Sequence, residues 1–371
     1  MPVSIGVPKE TSEGELRVAL VPDVATRLAK TGASIILEKG AGEAALIPDH
    51  AYSGAEFGDP WKADIVLTVQ PPDAKQLKKL NKGAVLLGFL APFSDPKRFA
   101  ALAKSEVTSF AVEMIPRISR AQSMDALSSQ ASVAGYKAVL TAAQASGRFF
   151  PMLTTAAGTI RPSTVLVIGA GVAGLQALAT ARRLGAITQG YDVRPETKEQ
   201  IESLGAKFLD LSVTAAGEGG YARELTDEER AAQQQALADH LGKVDIVITT
   251  AAVPGRPAPK ILTKAMVEGM KPGSVIVDIA AETGGNCELT EAGKTIEHQQ
   301  VSIVGPVNLP AQMPIHASEM YARNLMNFLT PWIKDGELNL DFDDEILAGS
   351  VITHGGEIRS EQVAKLLEGG K

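Results

Sequence analysis

Three glycines that follow an apolar run are the residues whose spacing most clearly predicts chemistry. The run Val165–Ile168 leads directly into a G-x-G-x-x-G sequence, which is followed by an amphipathic helical pattern. In a strand–turn–helix unit the first glycine makes the turn, the second lets backbone approach a pyrophosphate, and the third lets helix pack on strand. The N–H groups at the helix start then hold the phosphates. The candidate phosphate contacts are Gly169, Gly171, Val172, Ala173 and Gly174.

An acidic residue stands where such a unit would bind a ribose. A second strand-like run, Ile187–Tyr191, ends in Asp192, eighteen residues beyond the third glycine. A carboxylate there accepts hydrogen bonds from both hydroxyls of an adenosine ribose, so the pattern predicts NAD(H). If the glycine turn served only to pack the helix on the strand, the acidic residue at the end of the next strand would have no explanation. The cationic side chain of Arg194 could bind a 2′-phosphate, but the carboxylate of Asp192 would repel it. The pair therefore favours NAD over NADP. The candidate adenosine contacts are Asp192, Val193 and Arg194.

The length, composition and charge of the chain limit the number of domains and the class of protein to which these residues belong. A chain of 371 residues can bury two cores, which predicts two domains. Hydrophobic residues make up 45% and charged residues 21%, as in soluble globular proteins. The net charge of −7 argues against nucleic acid or an anionic membrane surface as a direct partner. One cysteine, Cys287, allows neither an internal disulfide nor a cysteine-built zinc site, which is typical of a reducing compartment.

Strand-like and helical segments alternate through both halves of the chain. This alternation predicts an α/β fold with two doubly wound Rossmann-like domains and parallel sheets. The first domain has no glycine fingerprint. An apolar helix after the last strand of the second domain carries the chain back to the first domain, so we expect the first domain to be discontinuous. The expected boundaries are 1–128 plus 325–371 for the first domain and 129–324 for the NAD(H)-binding domain.

Other strands of the second domain also end in small or polar residues. The strand predicted at Val244–Thr250 leads into Ala251, and carboxyl ends of strands are where ligands bind in open α/β sheets. We therefore add Thr250 and Ala251 to the candidate cofactor contacts. The uncharged stretch Ser163–Ala181 is long enough to span a membrane, but its glycines and β-branched run favour a buried strand and nucleotide turn. No membrane insertion is expected.

Two polar segments have compositions typical of ligand-binding loops. Arg117–Gln130 is a mixed-charge run without apolar periodicity at the junction of the predicted domains, where ligands often bind. A solvated linker is the alternative. Ser212–Arg223 is rich in glycine and carries one aromatic residue, Tyr221, which indicates a mobile lid over the nucleotide site. A plain surface loop is its alternative.

Groups for proton transfer are missing from the predicted site. A dehydrogenase that acts on an alcohol or amine needs a positioned acid or base near the nicotinamide. All five histidines fall on predicted helices or polar loops, and none ends a recognisable strand. Hydride transfer between two nicotinamides needs no such base, only two rings held together without water. The five are His50, His240, His298, His316 and His354.

Several motifs resemble one family. The sequences GVPKE at Gly6–Glu10 and ELRVAL at Glu15–Leu20 resemble the shared N-terminal signature of alanine dehydrogenases and nicotinamide nucleotide transhydrogenases. The segment RAQSMDALSSQ, with GAGVAGLQA and KPGSVIVDIAAETGGN, is similar to the NAD(H)-binding component, domain I, of the proton-translocating transhydrogenase. The resemblance runs nearly end to end.

The alanine dehydrogenase pattern fails where that family has its catalytic groups. Gln70 stands where it has its substrate lysine, and Ala91 is the nearest position to its catalytic histidine. Glu282 replaces an aspartate, whereas Arg17 is retained. The two missing groups favour a transhydrogenase over an amino-acid dehydrogenase. A nucleotide sensor without turnover stays open as a third hypothesis.

The transhydrogenase resemblance implies a partner-dependent enzyme subunit. NADH would bind here, NADP(H) would bind on domain III of another chain, and a membrane domain II would translocate protons. The family implies a homodimer located peripherally on the cytoplasmic side of the bacterial inner membrane, with no metal. By matching position, Arg117, Asp125 and Ser128 would orient the nicotinamide carboxamide and the nearby phosphate or ribose. Gln122 would lie between the two nicotinamides, and Tyr221 would belong to the lid.

Overall fold

The chain divides into two compact units. The computed structural model describes residues 2–211, 227–252 and 257–369. One unit comprises Met1–Gln130 with Pro310–Lys371, and the other comprises Ala131–Leu309. These divisions lie at 130/131 and 309/310, where the sequence predicts 128/129 and 324/325. The first unit is thus built from two separate stretches of chain.

Short strands and helices alternate within the described residues. The strands are β1 (Ser4–Val7), β2 (Ser34–Leu37), β3 (Glu56–Phe57), β4 (Ile65–Leu67), β5 (Val85–Gly88), β6 (Thr108–Ala111), β7 (Leu153–Thr155), β8 (Gly158–Ile160), β9 (Thr164–Ile168), β10 (Ile187–Tyr191), β11 (Lys207–Phe208), β12 (Ile246–Thr249), β13 (Val275–Asp278), β14 (Thr295–His298), β15 (Val301–Val304), β16 (Ile333–Lys334), β17 (Glu337–Leu338), β18 (Val351–His354) and β19 (Glu357–Ile358). The α-helices are α1 (Pro22–Ala29), α2 (Ala74–Leu77), α3 (Pro96–Lys104), α4 (Ala126–Ala145), α5 (Val172–Arg183), α6 (Thr197–Ser203), α7 (Asp227–Leu241), α8 (Lys264–Glu268), α9 (Pro314–Leu329), α10 (Glu345–Ser350) and α11 (Glu361–Gly369).

The described residues of the first unit form a sheet in the order β19-β18-β6-β5-β4-β1-β2-β3. Strands β1 to β6 pair in parallel, as expected for helices that cross over between strands. Strands β18 and β19 join the edge antiparallel. The central strands are apolar on both faces because helices cover both; one core packs against α9 and the other against α3 and α11.

The sheet of the second unit has the order β11-β10-β9-β12-β13-β15-β14 within the described residues. Its strands are parallel except β14, which pairs antiparallel with β15. After β9 the chain adds β10 and β11 on one side of β9 and then β12 on the other side, so the carboxyl end of β9 lies at a topological switch point. The predicted α/β class with doubly wound sheets is confirmed, and the antiparallel edge strands are an addition to it.

Candidate functional site

Two of the three glycines occupy positions in the second unit that no other residue could adopt without strain. Gly169 follows β9 with φ of +99°, and a Cβ there would lie 2.5 Å from Thr250 Oγ1. A Cβ on Gly174 would overlap the carbonyl oxygen of Gly169. Gly171 is exposed, and a Cβ there would meet nothing within 4 Å. The turn therefore has tight backbone on the inside and open space on the outside, which fits the approach of a pyrophosphate.

Helix α5 begins directly at this open space. Its first turn includes a bond from the Leu175 N–H to the Gly171 carbonyl oxygen, at 2.9 Å. The N–H groups of Val172, Ala173 and Gly174 precede that bond, so they have no partner in the preceding turn of the helix. Together with the positive end of the helix dipole, they are suited to an anionic phosphate.

Asp192 lies just beyond β10, beside the glycine turn. Its Oδ2 accepts a hydrogen bond from the Ala170 N–H at 2.7 Å, and its Oδ1 accepts one from the Arg194 N–H at 2.9 Å. Burial acts to raise the pKa of this carboxyl, but these bonds and the Arg194 side chain outweigh burial and hold the pKa below its ordinary value. The carboxylate is thus ionised at neutral pH and fixed next to the candidate phosphate contacts.

The guanidinium of Arg194 fills the remaining acceptor positions of Asp192. Its Nε donates to Oδ1 at 3.0 Å and its NH2 group donates to Oδ2 at 2.9 Å. Each carboxylate oxygen has two lone pairs, so the four bonds occupy all of them. The Arg194 side chain is 53% exposed, and Val193 between the two residues is exposed as well. A ribose can reach the carboxylate only if this arginine moves, which its exposure permits.

Thr250 and Ala251 follow β12 and line the same turn. The Thr250 hydroxyl donates to the Gly169 carbonyl oxygen at 2.9 Å. The Ala251 N–H donates to Asn286 Oδ1 at 3.0 Å, and Asn286 Nδ2 returns bonds to the carbonyl oxygens of Ala251 at 2.7 Å and Pro259 at 2.9 Å. A fully buried amide therefore fixes the backbone next to the glycine turn.

A buried carboxylate holds the neighbouring strand end. Asp278, the last residue of β13, accepts bonds from the hydroxyls of Thr249 at 2.9 Å and Thr290 at 2.6 Å. It also accepts from the Cys287 N–H at 3.0 Å. Sequence reasoning missed the roles of Asp278 and Asn286. The only signal was that polar residues follow two apolar strands.

The polar segment of the first unit forms an exposed 3₁₀ helix, Ser119–Met124, rather than irregular backbone. Ala121 and Met124 are buried beneath it, whereas the side chains of Arg117 and Gln122 are exposed. Buried apolar residues alternate with exposed polar ones, so the segment is anchored and its polar side chains face solvent. This geometry differs from that of a solvated linker.

Asp125 and Ser128 lie together at the start of α4. Asp125 Oδ1 accepts from the Ser128 N–H at 2.8 Å, and its Oδ2 accepts from the Ser128 hydroxyl at 2.6 Å. Asp125 is thus the N-cap of the helix, which satisfies one of the free N–H groups of the first turn. The cap fixes both side chains, and both are only half-buried.

A buried polar cluster lies in the first unit near the carboxyl ends of β1 and β4. The guanidinium of Arg17 donates to both carboxylate oxygens of Glu15, at 2.8 and 2.7 Å, and to Gln130 Oε1 at 2.8 Å. Gln70 Nε2 donates to Glu15 Oε2 at 2.8 Å. The side chains of Arg17 and Glu15 are 4% and 0% exposed. The arginine retained from the alanine dehydrogenase pattern is therefore held by an acid of its own chain.

Glu10 extends this cluster toward solvent. Its carboxylate accepts from the N–H groups of Val69 at 2.6 Å and Gln70 at 3.2 Å. Burial, opposed by these two bonds and aided by the negative charge of Glu15, raises the pKa of Glu10 to about 7. This carboxyl therefore gains or loses a proton near neutral pH.

The turn after β5 has no base at the position that resembles the alanine dehydrogenase histidine. Ala91 adopts φ of +48°, and its N–H donates to Glu113 Oε1 at 2.6 Å. The Leu90 N–H donates to the same oxygen at 3.0 Å. Burial raises the pKa of Glu113. The turn is thus fixed by a carboxyl group that already accepts two backbone N–H groups.

Two of the histidines differ from the expectation that none ends a strand. His298 ends β14 and contacts Glu268 Oε1 at 2.9 Å, and His354 ends β18 and contacts Thr108 Oγ1 at 3.0 Å. The expectation was wrong because β14 and β18 are short antiparallel strands whose alternation is weak. Neither residue lies in the part of its unit described above as the candidate site.

Some expected features fall outside what the structure describes. Tyr221 and the rest of the lid predicted at Ser212–Arg223 lie outside the described residues. Among residues 2–211, 227–252 and 257–369, we find no group of three or more His, Cys, Asp or Glu side chains arranged to hold a metal. In the same ranges, no helix combines the length and apolarity needed to cross a bilayer.

Comparison with known proteins places both units in one family. Residues 6–134 match the family model described as alanine dehydrogenase/PNT, N-terminal domain, and residues 138–361 match the corresponding C-terminal domain. An alanine dehydrogenase of Mycolicibacterium smegmatis is 29% identical, with 98% of this chain and 96% of that protein covered.

Transhydrogenases are more similar than this dehydrogenase. An NAD(P) transhydrogenase alpha-subunit chain of Rhodospirillum rubrum is 46% identical, with 96% of this chain and 97% of that protein covered. The crystal structure of transhydrogenase from Sinorhizobium meliloti matches with a TM-score of 0.87 and 44% identity, covering 96% of this chain and 99% of that one. The chain therefore belongs to the alanine dehydrogenase/PNT family, and within it to the NAD(P) transhydrogenase alpha subunits.

Proposed function

We propose that this chain is the NAD(H)-binding subunit of a proton-translocating transhydrogenase and transfers hydride directly between NADH and NADP⁺ held by a partner. One observation carries the proposal. The second unit has a glycine turn open to a pyrophosphate with an ionised carboxylate beside it, while in the first unit Gln70 bonds to Glu15 and Ala91 lies in a turn without a base. The family resemblance implies that an amino-acid dehydrogenase would need a lysine and a histidine at these two positions. The chain thus has the groups that bind a nicotinamide nucleotide without those that process an amino acid.

Residues of the second unit would bind the adenosine and pyrophosphate half of NADH. The first-turn N–H groups of α5 directly follow Gly171, where a Cβ would meet nothing within 4 Å and a phosphate could approach closely. The ionised Asp192 would accept the ribose hydroxyls once Arg194 leaves it. Thr250 and Ala251 would contact the nucleotide beside the turn that their own hydrogen bonds fix.

Residues of the first unit would orient the nicotinamide half. Arg117, Asp125 and Ser128 would position the carboxamide and the nearby phosphate or ribose, as the family resemblance implies. The Asp125–Ser128 bonds support this, because they fix two polar side chains that are still partly exposed. Gln122, which is exposed, would reach toward the NADP(H) side. Tyr221 would belong to a closing lid.

Bound NADH supplies the hydride from C4 of its nicotinamide. Transfer to NADP⁺ yields NAD⁺ and NADPH, and the balance requires no proton from a side chain. The role of this chain is then to hold the ring, orient it and exclude water. The proposed partners are a second copy of this chain, an NADP(H)-binding domain III and a membrane domain II that couples transfer to proton translocation. The chain would lie peripherally on the cytoplasmic side of the inner membrane.

Two reaction mixtures test the proposal. The first contains this chain, an NADP(H)-binding transhydrogenase subunit, NADPH and acetylpyridine NAD; we expect reduction of the analogue that requires both proteins. The second contains this chain alone with NADH, pyruvate and ammonia; we expect no oxidation of NADH. Turnover only in the second mixture would identify an amino-acid dehydrogenase. Nucleotide binding without turnover in either would indicate a sensor and contradict the proposal.

A further inference from the structure

Asn324 on helix α9 contacts both ends of the turn that carries Asp125 and Ser128. Its side chain is in the first unit and only 8% exposed. The Nδ2 group donates to the Ser123 carbonyl oxygen at 2.9 Å, and Oδ1 accepts from the Ser129 hydroxyl at 2.7 Å. One buried amide thereby bridges the residue after Gln122 and the residue after Ser128.

Neighbouring bonds leave this turn little freedom to shift. Asn327 Nδ2, one helical turn further along α9, donates to the same Ser123 carbonyl oxygen at 3.0 Å. That oxygen then uses both of its lone pairs. The Ser129 hydroxyl also lies 3.1 Å from the Ala126 carbonyl oxygen, and Gln130 Nε2 donates to the Ala317 carbonyl oxygen at 3.1 Å. Helix α9 thus holds the 3₁₀ helix and the first turn of α4 at several points.

We propose that Asn324 is a positioning residue for hydride transfer, acting through Ser123 and Ser129 on the nicotinamide-facing segment 117–128. The inference rests on the proposed function and adds a residue distant from that segment in sequence. Asn324 touches none of the nucleotide contacts proposed above. Its effect would come from geometry: transfer between two rings is sensitive to misplacement of about 1 Å, which can cost on the order of a hundredfold in rate.

The test uses Asn324→Asp in the full chain with its NADP(H)-binding partner. Aspartate keeps an oxygen for the Ser129 hydroxyl, but it places a second oxygen against the Ser123 carbonyl, so the bridge opens at one end only. We expect the hydride-transfer rate at saturating NADH to fall roughly ten- to a hundredfold. The affinity for ADP-ribose, which lacks the nicotinamide, should stay within about twofold, since its proposed contacts lie in the second unit.

Two further variants keep the test decisive. Arg323→Gln is the matched control, because Arg323 is the neighbouring residue on α9, is exposed and contacts only Glu319 at 3.8 Å among the described ion pairs. It should transfer hydride at the wild-type rate. Asn324→Ser shortens the side chain and breaks the bridge without placing a charge in the buried site. It is used in place of the aspartate variant if the aspartate variant fails to fold. We expect the same loss of rate in a folded protein whose thermal midpoint lies somewhat below that of Arg323→Gln, because two buried hydrogen bonds are lost.

The outcomes separate this inference from the function on which it rests. A full rate in a folded Asn324 variant would overturn the positioning role. An equal loss of ADP-ribose and NADH affinity would also overturn it, because the residue would then support the fold in general. Failure of the wild-type chain to transfer hydride with its partner would instead contradict the proposed function.

Discussion

Replacing Arg194 with alanine should tighten NADH binding, because this arginine competes with the ribose for Asp192. Its guanidinium makes two of the four hydrogen bonds to the carboxylate, at 3.0 and 2.9 Å, and must leave before two ribose hydroxyls can bind. The arginine side chain is 53% exposed, so solvent screens the pair. A screened pair of this kind contributes about 1 kcal/mol. Removing it should raise the affinity for NADH about fivefold.

Fluorescence titration with NADH at low and high salt measures this effect. The backbone N–H groups of Ala170 and Arg194 still donate to Asp192 in the variant, so the carboxylate should keep its orientation. Arg183→Ala is the control: it removes the same charge from an exposed position at the end of α5 without touching Asp192. The gain should shrink with added salt. Unchanged or weaker binding in Arg194→Ala would refute the competition.

Three other predictions concern the turn, its support and the first unit. Gly174→Ala should lower both the thermal midpoint and the NADH affinity, because the new Cβ overlaps backbone. Gly171→Ala should lower the NADH affinity alone, since its Cβ faces open space. Equal thermal midpoints of the two variants in calorimetry would contradict this. Asn286→Ala removes three bonds from a buried site and should lower the free energy of unfolding in urea by about 3 kcal/mol. Glu10, with a pKa raised by burial from 4.5 to about 7, binds a proton in the native state that the unfolded chain releases. Wild-type stability should therefore fall by on the order of 2 kcal/mol more than that of Glu10→Gln as the pH rises from about 5 to about 8; parallel pH profiles would contradict it.

The nucleotide turn could be predicted from sequence because all its determinants are local. Strand β9, the three glycines, α5 and Asp192 follow one another within thirty residues, and each has a periodicity or a conformational requirement of its own. The structure adds the reasons at atomic level, such as the positive φ of Gly169 and the overlap at Gly174. Fold class followed from the same local alternation of strands and helices.

Contacts between distant parts of the chain could not be predicted in this way. Asn324 bonds to Ser123 across 201 residues, and nothing in the composition of α9 distinguishes this asparagine from Asn327 or from a surface residue. The buried Asn286 and Asp278 had only their place after strands as a signal. The antiparallel edge strand β14 is short, so its alternation was too weak to place His298. Long-range pairing decides all of these features.

The two arginine–carboxylate pairs explain why ligand binding should occur at one and not at the other. In both Asp192–Arg194 and Glu15–Arg17 the guanidinium bonds to both carboxylate oxygens of an acid in its own chain. In the first pair Asp192 is 6% exposed, but Arg194 is 53% exposed and can move into solvent, so separating the pair costs about 1 kcal/mol, which a bound ribose can offset. The second is buried at 4% and 0% exposure, and opening it would leave an uncompensated charge at a cost of about 3 to 5 kcal/mol. A group that displaced Glu15 from Arg17 would have to supply that energy. The exposure of the arginine, more than the identity of the residues, therefore separates the proposed, releasable nucleotide contact from a fixed structural pair.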